Sequence, residues 1–464
     1  MNAAYYSPPS FSRTDLAQFK KSVQWQWKGY RTSSGVFNKL HSTDDLIKSI
    51  RKYAQVPAHW NFQLLEETLN FSVDTSCKKV FLQETYKKIE EIASKISSTH
   101  KNVFDKLGDE EIILTREQIV CILANAFLCT FPNHADNKTM PQINFIGLFT
   151  SISTNPAVQK EKIKCILNYF KLVTEYGFWG NLRDDVRFKK VSLGGSKSGA
   201  PQLPFDPSTI SLDLSKFGNI EGDLFECPND SGQVMFSNKR LGGGVLGNGS
   251  LQEENRFITC PELIVLKIFF PELADDEVVI VENAGQFSKC EGYGFTFKYV
   301  PIDRMIKTGS IIAMDAMDFS RHPLGDAAQW EAENIRRETI KAYVGFKNVK
   351  EQNIGTGFWG CGGFKGDPLL KTLIQWIAAT AANKTLQLFY LPNERYIFDG
   401  IKQRLNSHER EQIFDGVLSK LKRPREKICK CNCGNVLCSK QSRERMKFTP
   451  KSTNAAYPYN SYNY

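Results

Sequence analysis

The chain has 464 residues, 41% hydrophobic and 24% charged, with a formal net charge of +10. That composition fits a soluble globular protein of two or three domains and excludes collagen-like, disordered and disulfide-scaffold classes for its bulk. Eleven Lys or Arg against two Glu from Lys420 to Tyr464 carry +9 of the charge, so a basic tail is implied rather than a basic folded surface. The longest apolar stretches, such as Leu373–Ala382, fall far short of the roughly 20 residues that cross a bilayer, and MNAAYYSPPSFSRTDL at the N-terminus has no signal-peptide core. Cys77, Cys121, Cys129, Cys165, Cys260 and Cys290 are scattered singly, which reads as reduced thiols in an intracellular protein of nucleus or cytoplasm, with no membrane partner.

The first half reads as helical. Asp44–Tyr53, Phe81–Ile96 and Thr115–Phe131 carry apolar residues at three- and four-residue spacing, and Thr115 with Gln118 forms a capping-box pattern. Lys160–Thr174 is a further amphipathic helix. Between Val191 and Pro207 the texture turns to a Gly/Ser/Pro linker. Beyond it, β-branched runs at Gln233–Phe236, Glu277–Glu282, Phe295–Val300, Ser310–Met314 and Leu386–Tyr390 alternate with helical segments at Pro261–Phe270, Trp330–Ala342 and Pro368–Ala382. That alternation predicts an α/β domain with a mixed sheet flanked by helices, over residues 191–420, after an all-α accessory domain over 1–190. Residues 421–464 read as a basic, Cys-containing disordered tail.

Two glycine-rich segments carry the chemistry. Leu241–Phe257, LGGGVLGNGSLQEENRF, places an amide and two acids where a glycine-rich loop meets a helix. Such a loop lets backbone approach a ligand; taken alone, an acidic helix start after a flexible loop would be the plainer reading, but a second glycine-rich loop shifts the weight toward a ligand site. The second, Gly355–Asp367 (GTGFWGCGGFKGD), opens the Pro368 helix and offers backbone N–H groups to an anion. It lacks the Lys-Ser/Thr pair of a nucleotide-hydrolysing loop and the context of a dinucleotide fold, so a diphosphate fits it best. Phe358, Trp359 and Phe364 either line a sugar or base, or pack in the core. No pair of the six His has metal-ligand spacing, so no cofactor and no metal are expected.

Gly242-Gly243-Gly244, seven residues, then Gln252-Glu253-Glu254 resembles the signature of poly(ADP-ribose) glycohydrolases. ILANAFLCTFP ending at Pro132, GQFSKCEGY (Gly285–Tyr293), IIAMDA (Ile311–Ala316), RRETIKAYVGF (Arg336–Phe346) and WGCGGFKGD (Trp359–Asp367) are similar to that family in its order, from about Val120 to Tyr390. The resemblance implies a macrodomain-like core with a helical accessory domain, cleaving the ribose–ribose bonds of poly(ADP-ribose) to release ADP-ribose. It implies Glu254 as the catalytic acid/base, with Glu253, Gln252 and Asn238 at the reacting ribose. It further implies Ile220 and Glu221 at adenine, Gly243 and Gly244 on the loop at the substrate, Tyr293 on a closing loop, and Gly362, Gly363 and Phe364 at the diphosphate. Two positions depart from the animal members: Phe358 replaces an Asn and Met235 an Asp.

Glycoside cleavage commonly uses two carboxylates on opposite sides of the bond, which two adjacent Glu on one loop are poorly placed to supply. One carboxyl that first protonates the leaving oxygen and then deprotonates water is more economical. The implied partners are the polymer and ADP-ribosylated proteins, met by a monomer, with direct nucleic-acid contact confined to the basic tail. The competing readings are a macrodomain that holds ADP-ribose without cleaving it, and a hydrolase for mono-ADP-ribose on proteins. Cys429, Cys431, Cys433 and Cys438 lack a standard zinc spacing and read as thiols ahead of a metal cluster.

Overall fold

Helical and extended periods divide the chain in the computed structural model, which describes residues 40–422 apart from 41, 54–60, 73, 98, 101, 132–142, 151–154, 176–183, 194–201, 324 and 407–408. The four clustered cysteines, nearly all of the basic tail and the middle of the Gly/Ser/Pro linker lie outside the described residues. The N-terminal part holds α1 (Thr43–Tyr53), α2 (Tyr86–Ser94), α3 (Arg116–Phe127) and α4 (Pro156–Glu175). The run expected over Phe81–Ile96 is helical but changes winding twice, with a π-helical turn at Phe81–Thr85 and a 3-10 turn at Lys95–Ser97 around α2. Thr115 caps α3 as its spacing predicts: its hydroxyl accepts from the Gln118 N–H at 3.1 Å, and the Gln118 side chain accepts from the Thr115 N–H at 3.0 Å. α3 stops at Phe127 instead of Phe131, and Cys129 adopts a φ of 55° just beyond it.

Eight strands build the main sheet: β1 (Glu111–Leu114), β2 (Val186–Val191), β3 (Phe217–Glu221), β4 (Gly232–Ser237), β5 (Val278–Glu282), β6 (Ile311–Asp315), β7 (Asn353–Thr356) and β8 (Thr385–Tyr390). Their order is β1-β2-β5-β6-β4-β7-β8-β3. From β6 to β3 every neighbour is parallel, whereas β1, β2, β5 and β6 pair antiparallel in turn, so the sheet is mixed. β1 and β2 come from the segment read as helical and complete one edge. Of the expected strands, Phe295–Val300 shortens to Lys298–Val300, which pairs with Lys289–Glu291 in a separate ribbon.

Side chains alternate along the central strands, which puts a different core on each face. Met235, Val279, Val281, Ile311 and Ala313 face the first core, shared with α3, α4 and α5 (Gln252–Thr259). Val234, Val278, Ile280, Ile312 and Met314 face the second, covered by α6 (Ala332–Lys347), α7 (Pro368–Ala381), α8 (Arg395–Asn406) and α9 (Glu409–Lys422). The chain therefore leaves β4 toward α5 on one face and leaves its parallel neighbour β7 toward α7 on the other. Such a divergence opens a crevice beyond the carboxyl ends of the two strands, where open α/β sheets bind ligands. No described helix is long and apolar enough to cross a membrane.

Candidate active site

The crevice is built by α5, the glycine-rich loop before it and the end of β4. Gln252 opens α5 and its amide extends the β4 ladder: the side-chain oxygen accepts from the Phe236 N–H at 2.8 Å, and the nitrogen donates to the Val234 carbonyl at 3.3 Å. Glu253 points inward and is 4% exposed. Its two oxygens accept from the N–H groups of Gly242 at 2.7 Å and Asn238 at 3.0 Å, so one carboxyl group clamps the loop to the strand end. Burial, with Glu254 beside it, holds the Glu253 carboxyl well above the usual carboxylate range, against the pull of those two donors.

Glu254 is half-buried and faces the open side of the same loop. One oxygen accepts from the exposed Gly244 N–H at 3.0 Å and the other from the Leu251 N–H at 2.9 Å. Gly243, with a φ of +41°, leaves room for both acids: a Cβ there would lie 2.5 Å from Glu254 Oε1 and 2.9 Å from Glu253 Oε2. Asn238 turns its side-chain oxygen to the Arg240 N–H at 3.0 Å. The structure thus brings Asn238, Gly243, Gly244, Gln252, Glu253 and Glu254 into one unit where the end of β4, the glycine-rich loop and the start of α5 meet.

Tyr293 joins that unit through its neighbours. The Gly294 N–H donates to the Ser250 carbonyl at 2.7 Å, and the Asn255 amide of α5 donates to the Gly292 carbonyl at 3.2 Å. The Tyr293 hydroxyl lies 2.9 Å from both oxygens of Asp223, just past β3. Burial and the Asp223 charge push the phenol far above its ordinary range. Ile220 and Glu221 end β3 at the sheet's other edge, Ile220 37% exposed and Glu221 paired with Arg395.

Gly362, Gly363 and Phe364 lie on the loop after β7. A Cβ at either glycine would meet nothing within 4 Å, so packing does not require glycine there and the backbone stays open to a ligand. Phe358 and Trp359 take the core alternative, 6% and 0% exposed, while Phe364 packs partly against that core. Met235 is likewise a core residue. Trp359 is fixed by its indole N–H on the Met314 carbonyl at 3.1 Å and by the Lys371 ammonium 4.3 Å from its ring. Among the described residues no three His, Cys, Asp or Glu side chains gather as a metal-ligand group.

Sequence reading passed over Asp223, although it closes the GNIEGD segment that holds Ile220 and Glu221. It also passed over Lys162 and Lys267, whose ammonium groups hold carbonyls of the glycine-rich loop. The signal for Lys162 was present: it lies on the apolar stripe of α4 with Ile166 and Tyr169.

Two family models match in chain order, the poly(ADP-ribose) glycohydrolase helical domain over residues 73–189 and the macro-domain fold of the same family over 206–397. The chain belongs to the poly(ADP-ribose) glycohydrolase family. The fold is therefore the macro-domain fold with an N-terminal helical part, as expected. The chain is 29% identical over 360 residues to poly(ADP-ribose) glycohydrolase 1 of Arabidopsis thaliana, a match covering 60% of this chain and 63% of that one. It is 26% identical over 388 residues to the probable poly(ADP-ribose) glycohydrolase 2 of the same plant, covering 70% and 72%. The match to the first of these relatives spans less than two thirds of its length. Among solved structures, the poly(ADP-ribose) glycohydrolase of Deinococcus radiodurans in complex with ADP-ribose shows 13% identity over 43% of this chain and 86% of that one, with a TM-score of 0.32.

Proposed function

We propose that the chain hydrolyses the ribose–ribose O-glycosidic bonds of poly(ADP-ribose), releasing ADP-ribose, with Glu254 as the acid/base. The relatives' names support the substrate class, and one observation supports the assignment within the pair of acids. Both acids accept backbone N–H groups on both oxygens, but Glu253 is buried, whereas Glu254 stands half-buried at the exposed Gly244, where a sugar can reach it. In this reading Glu254 protonates the leaving ribose oxygen and then takes a proton from the attacking water. The positive charge that develops on the sugar is offset by the substrate's own diphosphate, lying on the Gly362–Phe364 backbone. Gln252 and Asn238 turn the reacting ribose, Ile220 and Glu221 receive the adenine, and Tyr293 closes over the ligand. ADP-ribosylated proteins are the partners such a chain would meet.

A macrodomain that binds without cleaving is the competing reading, and a product assay separates the two. The full chain is incubated with labelled poly(ADP-ribose) and the products are resolved by size. Accumulation of ADP-ribose supports hydrolysis; polymer that is retained by the protein but stays intact supports binding alone.

A further inference from the structure

The glycine-rich loop has two chemically different edges. Its N–H groups at Gly242 and Gly244 face the two carboxylates. Its carbonyls at Val245, Gly247 and Gly249 turn the other way, onto the Lys162 ammonium, at 3.3 Å and 2.9 Å for the first two. Lys162 is 0% exposed, and a buried ammonium is costly unless each of its three N–H groups finds an acceptor. Three carbonyls from one loop meet that need, so the lysine and the loop fix each other.

Other groups of the helical region press on the same five residues. A Cβ at Gly147 would lie 2.4 Å from the Leu246 carbonyl oxygen, so the backbones there are in direct contact. The Gln159 amide, one turn before Lys162 on α4, donates to Asn248 Oδ1 at 3.3 Å. Lys267 repeats the motif just before these residues, its ammonium 3.4 Å from the Gly243 carbonyl.

We propose that Lys162 is a positioning residue for hydrolysis: by holding the carbonyl edge of the loop it aims the Gly244 N–H at Glu254 and so fixes where the acid presents its proton. The assignment rests on the glycohydrolase reading and makes the helical region part of the catalytic apparatus. Removing the ammonium lets the loop rotate its peptides, which misplaces Glu254 while leaving the diphosphate and adenine contacts in place. The cost therefore falls on kcat and spares KM. Burial pushes the Lys162 pKa down to about 8, Glu254 opposes that shift by favouring the ammonium, and the other titratable group beside it, Cys165, stays an uncharged thiol because burial pushes its pKa up to about 12.

The test compares the full chain with its Lys162→Met variant on poly(ADP-ribose), measuring kcat, KM, melting temperature and ADP-ribose affinity at pH 7. The expected result is a folded variant with kcat at least tenfold lower and with KM and ADP-ribose affinity within about threefold. A folded variant with kcat within threefold of wild type, or one whose loss lies wholly in KM, overturns the assignment. If Lys162→Met does not fold, the wild-type kcat–pH profile decides: a decline with apparent pKa near 8 at unchanged KM supports the role, and a flat profile to pH 9.5 overturns it. A wild-type chain that releases no ADP-ribose at any pH overturns the glycohydrolase reading instead.

Discussion

The Tyr293 hydroxyl donates to the carboxylate of Asp223, bridging a contact of 70 residues in sequence and tying the loop beside α5 to the loop after β3. The Tyr293 ring also stacks on Phe225 at 6.3 Å, so the two loops are joined into one wall of the crevice. Tyr293→Phe keeps the ring and removes the tie. A hydrogen bond to a charged group contributes about 1.5–3 kcal/mol, roughly a tenfold or larger effect on affinity where the loop must close on a ligand. The expected outcome is a KM raised about tenfold with kcat within threefold. An unchanged KM would show that the tie does not organise the binding wall.

Gly249 tests whether the space around Glu254 matters. Its φ lies outside the left-handed region, so alanine is allowed by the backbone. The added Cβ would nevertheless lie 2.6 Å from Glu254 Oε1 and 2.8 Å from Cδ, which forces the carboxylate to move. Gly249→Ala is expected to lower kcat at least tenfold while the melting temperature stays within roughly 3 °C. Steady-state kinetics with kcat within twofold of wild type would contradict the placement of Glu254.

How much of this was legible in the sequence depends on where the signal resides. β4, β5 and β6 are buried on both faces and β8 is buried on one face and for half its length on both; each holds a short apolar or β-branched run, so each was found within a residue or two. β1 has four residues, β2 interleaves Arg187, Lys189 and Lys190 among its buried positions, and β3 is a largely exposed edge with a glycine. Their pairing is set by partners distant in the chain, which no local period reports. The site was legible where glycines and acids are adjacent in sequence. A lone residue such as Asp223 or Lys162 takes its role from a segment 70 or more positions away, so a local cue, such as the apolar stripe around Lys162, marks the residue without revealing its partner.

Arg116 fixes the start of α3 to the sheet. Its guanidinium lies 3.3 Å from Glu262, the two side chains 3% and 0% exposed, and donates to the carbonyls of Asp184 at 2.8 Å and Asn283 at 2.5 Å. Arg116→Met leaves the Glu262 carboxylate buried without its cation, a change that costs about 3–5 kcal/mol. Urea denaturation should show that loss. A change below about 1 kcal/mol would mean that the pair does not join the helical region to the sheet energetically.

Glu253 gives a pH dependence of known sign. Its carboxyl is raised above the ordinary 4.5 in the folded state and returns to that value on unfolding. Above pH 4.5 the folded chain therefore keeps a proton that the unfolded chain has lost, and its contribution to stability is largest at low pH and falls as pH rises through the folded value. The wild type's melting temperature, taken relative to that of Glu253→Gln, should decline between pH 5 and pH 8. A difference that stays constant or grows with pH would contradict the buried, proton-retaining carboxyl.

The central claim is that Glu254 is the group that moves the proton. Its direct test is Glu254→Gln, assayed beside wild type for ADP-ribose release from poly(ADP-ribose) and for ADP-ribose binding by calorimetry. The amide keeps the shape and loses the proton carrier, which typically supplies about 10²–10⁴-fold in rate. The account predicts a fall in kcat of at least 100-fold, with ADP-ribose affinity within about tenfold, or roughly 1.4 kcal/mol. Hydrolysis by Glu254→Gln within threefold of wild type would contradict it.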